Sequence, residues 1–308
     1  MSRSPSSRRL RRSLAALTAC GLAAAVGLGL SGTAHAAATA TTPTAASSAR
    51  PVTAGADYLA LGDSVSFGYR EAANLPKPDY PDAASFVGYP EDLATALGLH
   101  VANAACPGET SSSFVTSNVA SNGCENSPGG GPGYRQAYPL HVTYAATQLS
   151  YALKYLRNHP GTRLVSLMIG ANDGFLCEET TADHCASELP AVLKQVQANV
   201  RTILTGLRDQ AGYRGQIVIV DYYSLDYSSA TANASSTYLN AAVNAAARPY
   251  GVEIANGFTA FETAAAQDGG NSCTAGLLTT LTTGGCGVHP SVAGQALLAL
   301  AVEKVITP

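Results

Sequence analysis

The chain has 308 residues, of which 46% are hydrophobic and 13% charged, with a formal net charge of −3. Five of its 18 basic residues and none of its 21 acidic ones fall in the first 36 residues, so the rest of the chain is clearly acidic, which argues against nucleic acid as a partner. The length beyond residue 57 suits one domain with a sizeable core.

Residues 1–36 read as a secretory signal peptide. Arg8, Arg9, Arg11 and Arg12 form a basic start, an apolar run follows, and Ala34-His35-Ala36 fits a small-residue cleavage site. Arg8-Arg9 also fits a twin-arginine signal, and Leu17 to Cys20 resembles a lipoprotein cleavage box. Without this segment 13 basic residues face 21 acidic ones, a net charge of −8. No other stretch is long and apolar enough to span a bilayer, so stable membrane insertion is not expected. Residues 37–56 are Ala, Thr, Ser and Pro with almost no large apolar side chain, and read as a low-complexity leader.

Strand-helix alternation begins at residue 57. Strands are expected near Tyr58–Leu61, Val101–Ala105, Leu164–Ile169, Ile217–Asp221 and Val252–Ala255, each a short apolar run. Helical patterns fall near Phe86–Leu97, Tyr144–Asn158, Leu189–Gln210, Ser236–Ala247 and Val292–Val305. Such alternation predicts an α/β fold, a parallel sheet covered on both faces with right-handed crossovers.

The segment DYLALGDSVSFGY from Asp57 places Ser64 where the first strand runs out, at the sheet edge where open α/β folds bind ligands. That position makes Ser64 a candidate nucleophile. The second strand ends in NAACPGETSSS, which puts Gly108 in a turn where its N–H could face a reacting carbonyl. The third ends in GAND, where the neutral amide of Asn172 could donate to an oxyanion without burying a charge. Close to the end of the chain, GCGVHPS sets His289 before a terminal helix, available as a general base. Each has an ordinary reading alone: a helix cap, a turn glycine, a surface histidine. Their joint occurrence at strand ends decides for chemistry.

These four blocks, GDS at Ser64, the Gly108 turn, GAND at Asn172 and HPS at His289, resemble those of the SGNH (GDSL-type) hydrolases, most closely the secreted actinobacterial branch. The resemblance covers nearly all of residues 57–308 and implies a flavodoxin-like three-layer α/β/α sandwich with a five-stranded parallel sheet. It implies Ser64 as nucleophile and His289 as base, with the Ser64 and Gly108 N–H groups and the Asn172 amide as oxyanion donors. The family usually carries Asp three residues before the histidine; here that position is Cys286, and no acid lies between Asp268 and His289. Either a backbone carbonyl near Cys286 orients the imidazole, or a distant acid does, or the site is weakened; family members that lack the acid use a main-chain carbonyl, so the resemblance favours the first, with Cys286 as the expected residue.

Six cysteines follow the signal segment, an even number as expected of an exported chain. Sequence leaves the pairing open; proximity favours Cys106–Cys124, Cys177–Cys185 and Cys273–Cys286. Neither CxxC nor paired-His spacing points to a metal, and no cofactor is required. Two long connections could line a pocket or simply pack on themselves: residues 106–141 with Phe114, Tyr134 and Tyr138, and residues 222–227 with Tyr222, Tyr223, Leu225 and Tyr227. The reading is a secreted, monomeric serine esterase, lipase- or phospholipase-like, acting on an ester or lipid substrate. The alternatives are a carbohydrate acetylesterase, disfavoured by the absence of Trp, and a catalytically silent binding module with a decayed triad.

Overall fold

The computed structural model describes residues 50–308. The expected signal segment and residues 37–49 of the leader lie outside them. Five strands form one sheet: β1 (Asp57–Gly62), β2 (His100–Asn103), β3 (Leu164–Met168), β4 (Gln216–Val220) and β5 (Glu253–Ala255). Their order is β2-β1-β3-β4-β5 and every pairing is parallel, the doubly wound arrangement expected of the sequence pattern. The inner strands β3 and β4 are buried at every position, as continuous apolar runs covered on both faces must be.

Among the described residues ten α-helices surround the sheet: α1 (Ser64–Phe67), α2 (Tyr89–Leu97), α3 (Ser111–Val115), α4 (Tyr134–Ala137), α5 (Gln148–Asn158), α6 (Ala171–Thr180), α7 (Leu189–Thr205), α8 (Ala230–Ala247), α9 (Gly257–Ala265) and α10 (Val292–Glu303). Helices α2 and α10 pack together, with α9 against α10; α7 packs against α8 and α3. The short helices α1, α3 and α4, and also α6 and α9, were not among those expected. In the GAND block, which alone reads as a helix cap, Gly170 turns the chain directly into α6. A hairpin of β6 (Leu278–Thr280) and β7 (Cys286–Pro290) stands apart from the sheet and carries His289.

Both ends of the described domain are fixed at the amino edge of the sheet. Gln216, the first residue of β4, donates its side-chain amide to the carbonyls of Arg50 and Thr307 and accepts from the Thr307 N–H at 2.7 Å. The Val52 N–H donates to the Thr307 carbonyl at 2.9 Å. At the opposite edge β1, β2 and β3 end, and the chain reverses order between β1 and β3. That is where a ligand crevice opens in such sheets.

Three disulfides join Cys106 to Cys124, Cys177 to Cys185 and Cys273 to Cys286. They close loops of 18, 8 and 13 residues, each at or next to the carboxyl edge. In the chain-entropy account a closed loop of this size stabilises by roughly 2–4 kcal/mol. No helix among the described residues is long and apolar enough to cross a membrane.

Candidate active site

Ser64 is the first residue of α1, and the strand before it is held rigidly. The Gln148 side chain accepts from the Gly62 N–H at 2.6 Å and donates to the Gly62 carbonyl at 3.0 Å. Asp63 caps α1 by accepting from the Val65 N–H at 3.0 Å. The serine hydroxyl therefore emerges from a short turn with little freedom of its own. Its Oγ lies 2.9 Å from Nε2 of His289, 225 residues away in sequence.

The other ring nitrogen, Nδ1, lies 2.7 Å from Oε1 of Glu71. This corrects the expectation of the Cys286 carbonyl. Cys286 faces Thr280 across the hairpin and is bridged to Cys273, whereas a carboxylate from the loop after α1 reaches the imidazole. The physical reason lies in how that loop docks. Asn74 donates its side-chain amide to the Thr280 carbonyl at 2.8 Å, the Leu75 N–H donates to the same carbonyl, and the Thr282 N–H donates to Ala73. Residues 71–75 are thereby strapped to the β6–β7 hairpin.

Glu71 is held by more than the histidine. Its Oε1 also accepts from the Val288 N–H at 3.0 Å, and its Oε2 from the Thr279 hydroxyl at 2.6 Å. Burial alone would raise the carboxyl; the hydrogen bond and charge of His289, aided by Thr279, outweigh it and hold Glu71 at about 2. An ionised carboxylate only accepts, so Nδ1 carries the proton and Nε2 is free to accept from Ser64. Gly287 makes room for this acid: a Cβ there would overlap the Glu71 carboxylate and the Thr279 hydroxyl. Behind the histidine, Tyr223 donates its hydroxyl to the Val288 carbonyl at 2.6 Å, and the Tyr69 ring stands edge-on to the imidazole at 4.9 Å.

Gly108 and Asn172 come to the same cavity as Ser64 and His289. Gly108 has φ +81°, and a side chain would strike the backbone of Asn122 and Gly123, so the turn requires glycine. Among the described residues no protein acceptor faces the N–H of Ser64 or of Gly108. Asn172, second residue of α6 and 6% exposed, gives one amide hydrogen to Asp63 Oδ2 at 3.4 Å. Asp63 is itself buried and accepts a short bond from the Tyr222 hydroxyl. Burial pushes its carboxyl up to about 6 although the Tyr222 hydroxyl, the Val65 N–H and the His289 charge oppose it.

The cavity measures about 810 Å³ and runs from Ser64 between α6, α7 and α8. Phe175, Leu189, Val192, Leu193, Val196 and Leu239 give it an apolar wall. Of the loop residues, Tyr134, Tyr222, Tyr223 and Leu225 line it, whereas Phe114 lies in the core and Tyr227 donates to the Phe258 carbonyl. The aliphatic wall was not legible from loop composition, because it is built from helix faces that only packing brings together. The close cluster Cys106, Glu109 and Cys124 does not fit a metal, since both sulfurs are spent in a disulfide.

A model of the GDSL-like lipase/acylhydrolase family matches residues 60–297. Among solved structures the chain is similar to an acetylxylan esterase from Geobacillus stearothermophilus, at 18% identity and TM-score 0.50, covering 83% of this chain and 95% of that one. It is also similar to a phospholipase A1 from Streptomyces albidoflavus NA297, at 19% identity and TM-score 0.51, covering 82% and 100%. At these identities the likeness is one of fold. No curated protein matches the chain by sequence.

Proposed function

The chain belongs to the GDSL-like lipase/acylhydrolase family, and from that premise we propose that it is a secreted serine esterase that cleaves carboxylic esters with long acyl chains, as a lipase or phospholipase does. The observation that carries this reading is the pairing of Ser64 and His289, 2.9 Å apart, at the mouth of an apolar cavity of about 810 Å³. A cavity of that size lies within the roughly 300–1,000 Å³ range of small-molecule pockets and far exceeds the needs of an acetyl group.

In this mechanism His289 Nε2 takes the Ser64 proton as Oγ attacks the ester carbonyl. Glu71 keeps the proton on Nδ1 and stabilises the imidazolium that forms. The N–H groups of Ser64 and Gly108 and the free amide hydrogen of Asn172 receive the developing oxyanion. His289 then protonates the leaving alcohol, the acyl group stays on Ser64, and the imidazole activates water to release the acid. Residues 57–308 are the hydrolase domain in this reading, with 1–36 a signal peptide and 37–56 a leader. The three disulfides support export, since such bonds persist in oxidising compartments.

The test is a panel of nitrophenyl esters from acetate to palmitate, beside phospholipid and acetylated xylan, with Ser64→Ala as control. Turnover that rises with chain length and vanishes in Ser64→Ala, together with fluorophosphonate labelling at Ser64, is expected. Activity confined to acetate and acetylated xylan would favour the carbohydrate acetylesterase. An oxidised, folded protein with neither turnover nor labelling would leave only a silent binding module.

A further inference from the structure

An oxyanion donor works only if its N–H, and not its carbonyl, faces the reacting centre. A side-chain amide can present either, because its two ends are nearly the same size and turning about the last torsion exchanges them. At Asn172 both ends are gripped. Oδ1 accepts from Nδ2 of Asn122 at 3.0 Å, and Nδ2 gives one hydrogen to the buried carboxylate of Asp63 at 3.4 Å. Turned round, the amide would set its NH₂ against that of Asn122 and its oxygen against Asp63, two repulsive contacts.

We propose that Asn122 is a positioning residue that holds the Asn172 amide with an N–H toward the oxyanion, resting on the reading of Asn172 as an oxyanion donor. Asn122 belongs to none of the four sequence blocks. It lies in the loop closed by Cys106–Cys124, two residues before the second cysteine. Its backbone N–H donates to the Gly108 carbonyl at 2.8 Å, so one residue ties together the Gly108 turn and the Asn172 side chain. The loop that delivers it is braced by Asn126, which accepts from the Ser121 N–H at 2.9 Å, donates its amide to the Val119 carbonyl at 3.0 Å and accepts from the Gly123 N–H through its carbonyl. Donation into Oδ1 also draws electron density from the amide and makes the remaining N–H a stronger donor.

The decisive variant is Asn122→Asp, which keeps the size and the backbone bond to Gly108 but presents an acceptor to Asn172 Oδ1. In the oxidised full chain kcat on a nitrophenyl ester should fall by about 10–100-fold, less than the roughly 10²–10³ for deleting an oxyanion donor outright. KM should stay within about twofold, because the lost interaction strengthens in the transition state. Asn122→Ala, which removes the donor and adds no charge, should show the same pattern on a smaller scale and serves if Asn122→Asp does not fold. In an Asn172→Ala background either change should cost less than about threefold, since the two residues act through one amide. A full-sized loss persisting in that background, or an Asn122→Asp and Asn122→Ala pair both at wild-type kcat while Asn172→Ala is impaired, overturns the proposal. Wild-type kcat in Asn172→Ala itself would instead remove the oxyanion role from Asn172, a separate failure.

Discussion

Replacing Glu71 by Gln should lower kcat by about a thousandfold. The carboxylate and the imidazole meet at 2.7 Å, with side chains only 23% and 13% exposed. For charge centres about 4 Å apart at an effective dielectric of 20, the pair is worth about 4 kcal/mol, and tenfold in rate is about 1.4 kcal/mol. Glutamine removes that charge and also turns an NH₂ toward Nδ1, favouring the tautomer whose Nε2 can no longer accept from Ser64. The assay is steady-state hydrolysis of a nitrophenyl ester, with thermal melting to show that the fold persists and Asp268→Asn and Glu262→Gln as controls that retain most activity. KM should hardly move. The fold itself should lose little. Because Glu71 sits at about 2, below the ordinary 4.5, its contribution is present above pH 4.5 and lost as pH falls through 2. Partial solvent access at Glu71 and the cost of desolvating the carboxylate keep its net contribution to folding on the order of 1 kcal/mol. Loss of less than tenfold in kcat for a folded Glu71→Gln would refute the reasoning, as would a thousandfold loss in either control.

Gly287→Ala places a methyl group against the Glu71 carboxylate and should approach the Glu71→Gln defect in kcat; wild-type kcat would mean that the acid is not needed where it stands. Leu193→Trp narrows the aliphatic end of the cavity and should lower the palmitate-to-acetate activity ratio by about tenfold or more; an unchanged ratio would place the acyl chain elsewhere. Glu109 is buried beside Ser113 and Gln148, and burial raises its carboxyl to about 7 despite their hydrogen bonds. The folded chain then keeps that proton longer than the unfolded one, so melting temperature should fall as pH rises from 4.5 through 7, by a free energy on the order of 3 kcal/mol. Asp63 and Asp173, raised to about 6, act in the same direction. Glu109→Gln should flatten the slope, and an unaltered slope would contradict the assignment.

The five strands were legible to within one or two residues, because each is a short run bounded by turn residues, and β1, β3 and β4 are apolar and buried along nearly all their length. The residues at their ends were legible for the same reason: Ser64, Gly108 and Asn172 each interrupt such a run with chemistry that a core does not need. Glu71 was not. It stands on a loop without periodicity and meets its partner across 218 residues, so no local pattern marks it. Two signs were present nonetheless. The usual acidic position before His289 holds a cysteine, and Glu71 is the first acid after Ser64. The aliphatic cavity stayed hidden because Leu193, Val196 and Leu239 have ordinary core spacing on their helices; only the cavity they border in the folded chain distinguishes them.

The clasp of Gln216 on Arg50 and Thr307 has a practical consequence. Both ends of the domain leave from the rim one strand length, about 16 Å for five residues, behind Ser64. A linker to a bead, a carrier domain or a fluorescent reporter can therefore be joined at either end with the cavity mouth pointing outward. Bulky or aggregated substrates would approach such an immobilised enzyme from the open side, so tethering by the termini should preserve turnover where random coupling through surface lysines does not.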